Sequence, residues 1–186
     1  MTSSGAPRLV VGLTGPNAAG KGVAANCLVA RGFAYHSLSD ILREAVASRG
    51  LPPTRENLIE MGNEVRRVGG ASVLAERALE RLTGRDVVDS IRNPSEVTAL
   101  RRDPAFILLA VDAPIEVRFE RSRRRSRPGD GQTLAEFAER EQRERGSDPA
   151  AQQIHLTFGM ADLEVSNQGT IADLERAIVA ALGDRL

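Results

Sequence analysis

The stretch Leu9-Val-Val-Gly-Leu-Thr-Gly15-Pro-Asn-Ala-Ala-Gly20-Lys21 decides how the chain is read. Leu9 to Thr14 is an apolar run bounded by glycine, the pattern of a buried strand. Gly15 to Lys21 matches G-x-x-x-x-G-K, and Lys21 opens a helical stretch that reaches Arg31. A strand, a glycine-rich turn and a helix start, in that order, build an anion site. The glycines let the backbone curl until several N–H groups point at phosphate oxygens. The start of the helix adds its positive pole, and the lysine bridges the terminal phosphates. The competing reading is a glycine-rich turn with an incidental lysine.

Composition favours the first reading. The chain holds 24 arginines and a single lysine, Lys21. An ammonium is a compact charge on a flexible stem, whereas a guanidinium is a wide planar fork. A tight phosphate pocket can demand the former where every other basic position accepts the latter. The residues expected to hold the nucleotide are Gly15, Pro16, Asn17, Ala18, Ala19, Gly20, Lys21, Gly22 and Val23. One position departs from the full motif. Gly22 stands where Ser or Thr would help to hold Mg²⁺. The metal would then rest on phosphates, water and an acidic residue from elsewhere.

The remaining composition sets bounds. With 186 residues, 41% of them hydrophobic and 27% charged, the chain suits one globular domain. A formal net charge of zero argues against a nucleic-acid partner. A lone cysteine, Cys27, excludes an intramolecular disulfide and suits a reducing compartment. No apolar run reaches the ~18 residues that span a membrane. Met1 to Arg8 is small and polar, with no secretory core, and reads as a disordered tail. Together these features point to the cytoplasm.

Beyond the loop, short apolar runs alternate with amphipathic stretches. Strands are expected at Phe33–His36, Asp86–Asp89, Phe106–Val111 and Leu163–Ser166. Helices are expected from an N-cap at Ser39 or Asp40 through Ser48, from Thr54 to Gly69-Gly70, over Ala71–Leu82 and from Pro94 to before Pro104. Further helices are expected from Pro114 into an arginine cluster, over Thr133–Arg145 with a Thr133/Glu136 capping box, and over Thr170–Leu182. Arg127 to Gly131 reads as a loop. This alternation implies a five-stranded parallel sheet covered on both faces.

Several residues could complete a phosphate site. Asp89 ends a strand and could hold Mg²⁺, although a turn or capping aspartate has the same sequence signature. Arg43 and Arg92 could clamp the phosphate of a second substrate, or could simply be soluble surface. Six arginines fall within Arg118 to Arg127, and Arg118, Arg121 and Arg125 share one helical face. A one-sign cluster beside the Pro128-Gly-Asp-Gly131 turn suits a lid over a triphosphate, spanning about 118–146. A nucleic-acid patch would need interleaved aromatics, and only Phe119 is near. His36 and His155 suggest no metal site, and Cys27 reads as core.

These residues resemble the phosphate-loop nucleoside monophosphate kinase group, which includes adenylate and dephospho-CoA kinases. The Gly after Lys21 is similar to the adenylate kinase loop, which places Thr where Val23 stands. Ser37-Leu-Ser-Asp-Ile-Leu-Arg43 resembles the segment whose arginine grips the acceptor. Val88-Asp89-Ser-Ile-Arg92 resembles a strand end that supplies an aspartate and an arginine. Arg118 and Arg121 match arginines that precede the lid. Ala161-Asp-Leu-Glu-Val-Ser-Asn167 resembles the last strand of dephospho-CoA kinases. More specifically, the runs at 15–22, 89–94, 110–114 and 127–130 resemble kinase-like domains fused ahead of deoxycytidylate-deaminase-like domains.

The resemblance implies a three-layer α/β P-loop NTPase fold with a small helical lid. It implies ATP and Mg²⁺ as cofactors and phosphoryl transfer to a nucleotide-like acceptor. Lys21, Asp89, Arg118 and Arg121 would be catalytic. Asp40, Arg43, Arg92 and Arg125 would hold the acceptor, with Asp89 on the metal. Two alternatives remain open. One is a dephospho-CoA kinase with Asp40 as base. The other is a non-catalytic nucleotide sensor that regulates a partner such as a deaminase.

Overall fold

The computed structural model describes residues 7–125, 132–143 and 152–186. Its centre is a parallel sheet of β1 (Leu9–Thr14), β2 (Ala34–Ser37), β3 (Arg85–Asp89), β4 (Phe106–Asp112) and β5 (Leu163–Ser166), in the order β2-β3-β1-β4-β5. Every pairing is parallel, and Val11 of β1 stands between Val87 of β3 and Ile107 of β4. All six residues of β1 are buried, as expected for a central strand covered on both faces.

The pleat of β1 divides the core in two. Leu9, Val11 and Leu13 pack with Ala24, Ala25 and Leu28 of α1 (Lys21–Val29) and with Leu174, Ile178 and Leu182 of α9 (Ile171–Leu182). Val10 faces the other way, onto α2 (Leu38–Ser48), α3 (Arg55–Gly69), α4 (Val73–Leu79) and α5 (Pro94–Leu100). The result is the expected three-layer α/β fold. The strand order reverses direction at β1, which opens a crevice beyond the carboxyl ends of β1, β3 and β4. Beyond β4, α6 (Ile115–Arg125) packs on α7 (Leu134–Arg143), and Phe119 lies 5.9 Å from Phe137, ring centre to ring centre.

Some local expectations are corrected. The helix expected from Ser39 or Asp40 begins at Leu38, with Ser37 as its extended N-cap, so Asp40 lies in its first turn and caps nothing. Thr133 does accept from the Glu136 N–H at 3.2 Å, but the Glu136 carboxylate reaches back to the Gln132 N–H at 2.7 Å. Arg8, placed by sequence at the end of a disordered tail, donates from Nε to Asp103 at 3.1 Å. A short helix not expected from sequence, α8 (Ile154–Phe158), precedes β5. Five residues are too few to show a helical period. The Arg127–Gly131 loop, the end of the helix at Arg145 and Met1 to Ala6 fall outside the described residues. Among the described residues no helix is long and apolar enough to cross a membrane.

Candidate active site

The turn from Gly15 to Gly20 sits at the carboxyl end of β1. Gly15 has φ 136°, and a Cβ there would lie 2.1 Å from the Val111 carbonyl oxygen. Gly20 has φ 113°, and a Cβ there would strike the Asn167 side-chain nitrogen, also at 2.1 Å. Both positions therefore require glycine. Ala18 (φ 61°) and Ser90 (φ 68°) are the two non-glycine residues with positive φ among those described; the first lies within this turn and the second directly follows β3. Such backbone strain collects at functional sites. Helix α1 follows with no side-chain cap and no acidic residue in its first turn. Its positive pole is left for another anion.

Lys21 folds back into the loop. Its Nζ donates to the carbonyls of Gly15 and Pro16, both at 2.8 Å. Burial pushes this ammonium down to about 8. The charge of Arg92 pushes the same way, Asp89 opposes it, and Arg125 and Arg118 add to the depression. Lys21 thus stands among three guanidiniums in a chain whose net charge is zero.

The left wall comes from β3 and α2. Thr14 Oγ1 donates to the Ile91 carbonyl at 3.0 Å, which ties the segment after β3 to the end of β1. Asp89 accepts from the Ser90 N–H at 2.6 Å and from the Tyr35 hydroxyl at 3.3 Å. Ser39 joins Ser37 (2.9 Å) and Ser90 (3.3 Å) through their hydroxyls. Arg43 donates to Ser39 Oγ at 3.1 Å and pairs with Asp40, so these two acceptor candidates hold each other at the surface. Arg92 donates to the buried Gln152 at 2.9 Å, and its carbonyl accepts from the Gln153 N–H at 2.8 Å.

The right wall comes from α6. Arg118 is only 7% exposed; its Nε donates to the Ala113 carbonyl at 2.8 Å and its Nη1 to the Asn17 carbonyl at 3.4 Å. It also pairs with Glu141 of α7 and lies over the Phe137 ring. Arg125 donates to the Asn17 side-chain oxygen at 3.2 Å. Arg121 turns to the loop after β5, donating to the carbonyl (3.0 Å) and side-chain oxygen (3.2 Å) of Asn167. Asn167 is itself 5% exposed and donates to the Ala19 carbonyl at 2.7 Å. Nothing in the sequence marks Asn167, Gln152 or Glu141 for the site; the fold brings Asn167 to Ala19, Gln152 to Arg92 and Glu141 to Arg118.

Pro16, Asn17, Asp112, Arg118, Glu141, Ile154, His155 and Phe158 line a cavity of about 280 Å³ beside the loop. A larger, open concavity of about 630 Å³ runs along α3, away from the loop residues. The glycine cradle, the lysine and the uncapped α1 fit a polyphosphate. For Mg²⁺ the fit is thinner. Among the described residues no cluster of three His, Cys, Asp or Glu side chains could hold a metal. Asp89 would serve as one ligand of an ion carried in by the phosphates, whose role there is to neutralise their charge.

No protein-family model matches the chain. A UPF0200 protein of Hyperthermus butylicus is 36% identical over 176 residues, covering 92% of each chain. A UPF0200 protein of Pyrococcus horikoshii is 32% identical, covering 91% of this chain and 94% of its own. Among solved structures, TT1252 from Thermus thermophilus superposes with a TM-score of 0.62 at 24% identity, covering 95% of this chain and 97% of its own. A shikimate kinase from Acinetobacter baumannii, in complex with shikimate, gives 0.59 at 16%, with coverage of 94% and 92%. A gluconokinase from Sinorhizobium meliloti gives 0.56 at 19%, with coverage of 95% and 92%. The two kinases share the fold of this chain; at these identities the likeness extends no further.

Proposed function

The chain belongs to the UPF0200 family, and we propose that it transfers the γ-phosphoryl group of ATP to a small nucleotide-like acceptor. The observation that carries this reading is the turn itself: Gly15 and Gly20 hold conformations that leave no room for a side chain, Lys21 folds into it, and Arg118 and Arg125 both reach it at Asn17. A backbone cradle with cations at its rim favours a polyanion.

In this reading Lys21 releases the Gly15 and Pro16 carbonyls and donates to the β- and γ-phosphate oxygens. The backbone of Gly15 to Gly22, with Val23 beneath, wraps the phosphates. Arg118 and Arg121 stabilise charge on the group in flight, Arg118 from the Asn17 side and Arg121 from the Asn167 side. Arg92, and Arg43 once freed from Asp40, hold the acceptor, and Arg125 closes over Asn17. Catalysis is then mostly positioning and electrostatics.

A second reading has its own observation. Gly22 offers no hydroxyl to a metal, and nothing lies within 4 Å of where its Cβ would be. A chain that grips nucleotide but handles Mg²⁺ poorly suits a nucleotide sensor that regulates a partner, a deaminase-like protein among the candidates. A panel of ribo- and deoxynucleoside monophosphates and dephospho-CoA, each with ATP and Mg²⁺, separates the readings. Turnover with one acceptor supports the kinase and names its substrate, and turnover with dephospho-CoA alone makes it a ribose-hydroxyl kinase. ATP binding with no turnover on any acceptor leaves the sensor.

A further inference from the structure

Helix α3 buries a charge that the site does not touch. Arg66 is 3% exposed. Its Nε and Nη2 both donate to Oε1 of Glu96, at 3.0 and 2.8 Å, and Glu96 is wholly buried on α5. The other oxygen of Glu96 accepts from the backbone N–H groups of Arg92 (2.9 Å) and Asn93 (3.1 Å). The remaining nitrogen of Arg66, Nη1, is buried with no hydrogen-bond partner among the described residues. It packs 3.1 Å from where a Gly62 Cβ would stand.

Glu96 forms a capping box with Asn93 at the start of α5, which accounts for the carboxylate but not for the buried Arg66 paired with it. A buried ion pair pays a desolvation penalty that apolar side chains of the same volume avoid, and the unpartnered Nη1 adds to it. What the pair supplies and an apolar pair would not is a fixed carboxylate beneath two consecutive backbone N–H groups. One of those N–H groups belongs to Arg92.

We propose that the buried Arg66–Glu96 pair is a positioning device for the phosphate site, holding the Arg92–Asn93 backbone so that the Arg92 guanidinium is presented toward the phosphate loop. The guanidinium of Arg66 anchors Glu96 by two bonds to one oxygen. Glu96 passes that fixity to the segment after β3, and Gln152 receives Arg92 from the other side at 2.9 Å. Arg66 itself touches no substrate. That Arg92 steadies an acceptor rests on the kinase reading; that the pair fixes Arg92 beside Lys21 does not.

The test uses the full chain with Arg66→Met and Glu96→Leu together, which keeps the buried volume filled. Glu96→Gln, matched in size, serves if that pair fails to fold. The first readout needs no turnover. Lys21 is the one lysine, so its labelled side chain gives a single resonance to titrate. Burial depresses this ammonium most; the charges of Arg92, Arg125 and Arg118 add to the depression and Asp89 opposes it. Loosening Arg92 removes its share, so the midpoint moves upward from about 8. The second readout is kinetic: the acceptor KM rises by on the order of tenfold or more while the ATP KM holds, as misplacement of a clamp dictates. A midpoint that stays where it is in the folded variant overturns the inference. If the unaltered protein turns over no acceptor, the kinase reading fails, and the Lys21 titration still decides this one.

Discussion

Asn167 donates its side-chain amide to the carbonyl of Ala19 at 2.7 Å, so the loop after the last strand clasps the phosphate loop from behind. The same side chain accepts from Arg121 at 3.2 Å and fills the space that any side chain at Gly20 would need. Asn167→Leu leaves a buried carbonyl without its donor, at a cost of about 1–3 kcal/mol. We expect a lower melting temperature and ATP binding weakened about tenfold, read by calorimetry. Unchanged ATP affinity in the folded variant would remove Asn167 from the site.

The glycines of the loop are not equivalent. Gly15→Ala puts a methyl group 2.1 Å from the Val111 carbonyl at a φ of 136°, and should abolish ATP binding or folding. Gly22→Ser meets nothing within 4 Å, so it should leave the melting temperature unchanged. It also adds the hydroxyl that a Mg²⁺-bound triphosphate seeks. We expect ATP to bind this variant more tightly with Mg²⁺ than without, by a wider margin than in the parent. An equal margin in both would show that the hydroxyl does not reach the metal.

The depressed Lys21 gives a pH dependence of definite sign. Folded, it loses its proton near 8; unfolded, near the ordinary 10.5. Between those values the unfolded chain binds the extra proton, so this residue makes stability rise with pH across that window. Lys21→Met removes that rise, measurable as the difference between the two proteins in denaturant titrations. ATP affinity runs the opposite way, because the phosphates need the ammonium. It should be full below about 8 and fall above it. An affinity flat across that range would mean that Lys21 does not meet the phosphates.

Arg118 uses a planar fork to reach Ala113, Asn17 and Glu141 at once. Lysine cannot reproduce that geometry. Arg118→Lys should therefore lower kcat by roughly a hundredfold, the scale for losing one transition-state donor, with ATP binding changed little. A kcat within a few-fold of the parent would assign Arg118 to holding α7 in place.

Much of the architecture is local in origin and was legible from the sequence. Phe106 to Val111 is an apolar run, and with Asp112 it forms the strand beside β1. Gly15 to Lys21 follows a motif whose spacing is set by backbone curvature, and its glycines occupy the conformations that the motif demands. The parts that were missed are contacts through space. Asn167 lies 148 residues from Ala19, and Gln152 lies 60 from Arg92. No periodicity reports such pairs. Glu96 stands in the first turn of the helix that Pro94 opens, and nothing in the sequence ties it to Arg66, thirty residues earlier. The helix starts ahead of the Ser39/Asp40 cap because three polar residues within four positions, Ser37, Ser39 and Asp40, fit a helix start equally well.

The most direct test of the phosphoryl-transfer claim follows the γ-phosphorus of ATP by ³¹P resonance, with Mg²⁺ and each acceptor in turn, for the protein and for Lys21→Ala. Our reading predicts that with one acceptor the γ-signal is replaced by that of a new phosphorylated product, with ADP appearing in step, and that Lys21→Ala shows neither. ATP that binds, yet keeps its γ-signal intact beside every acceptor, would contradict it.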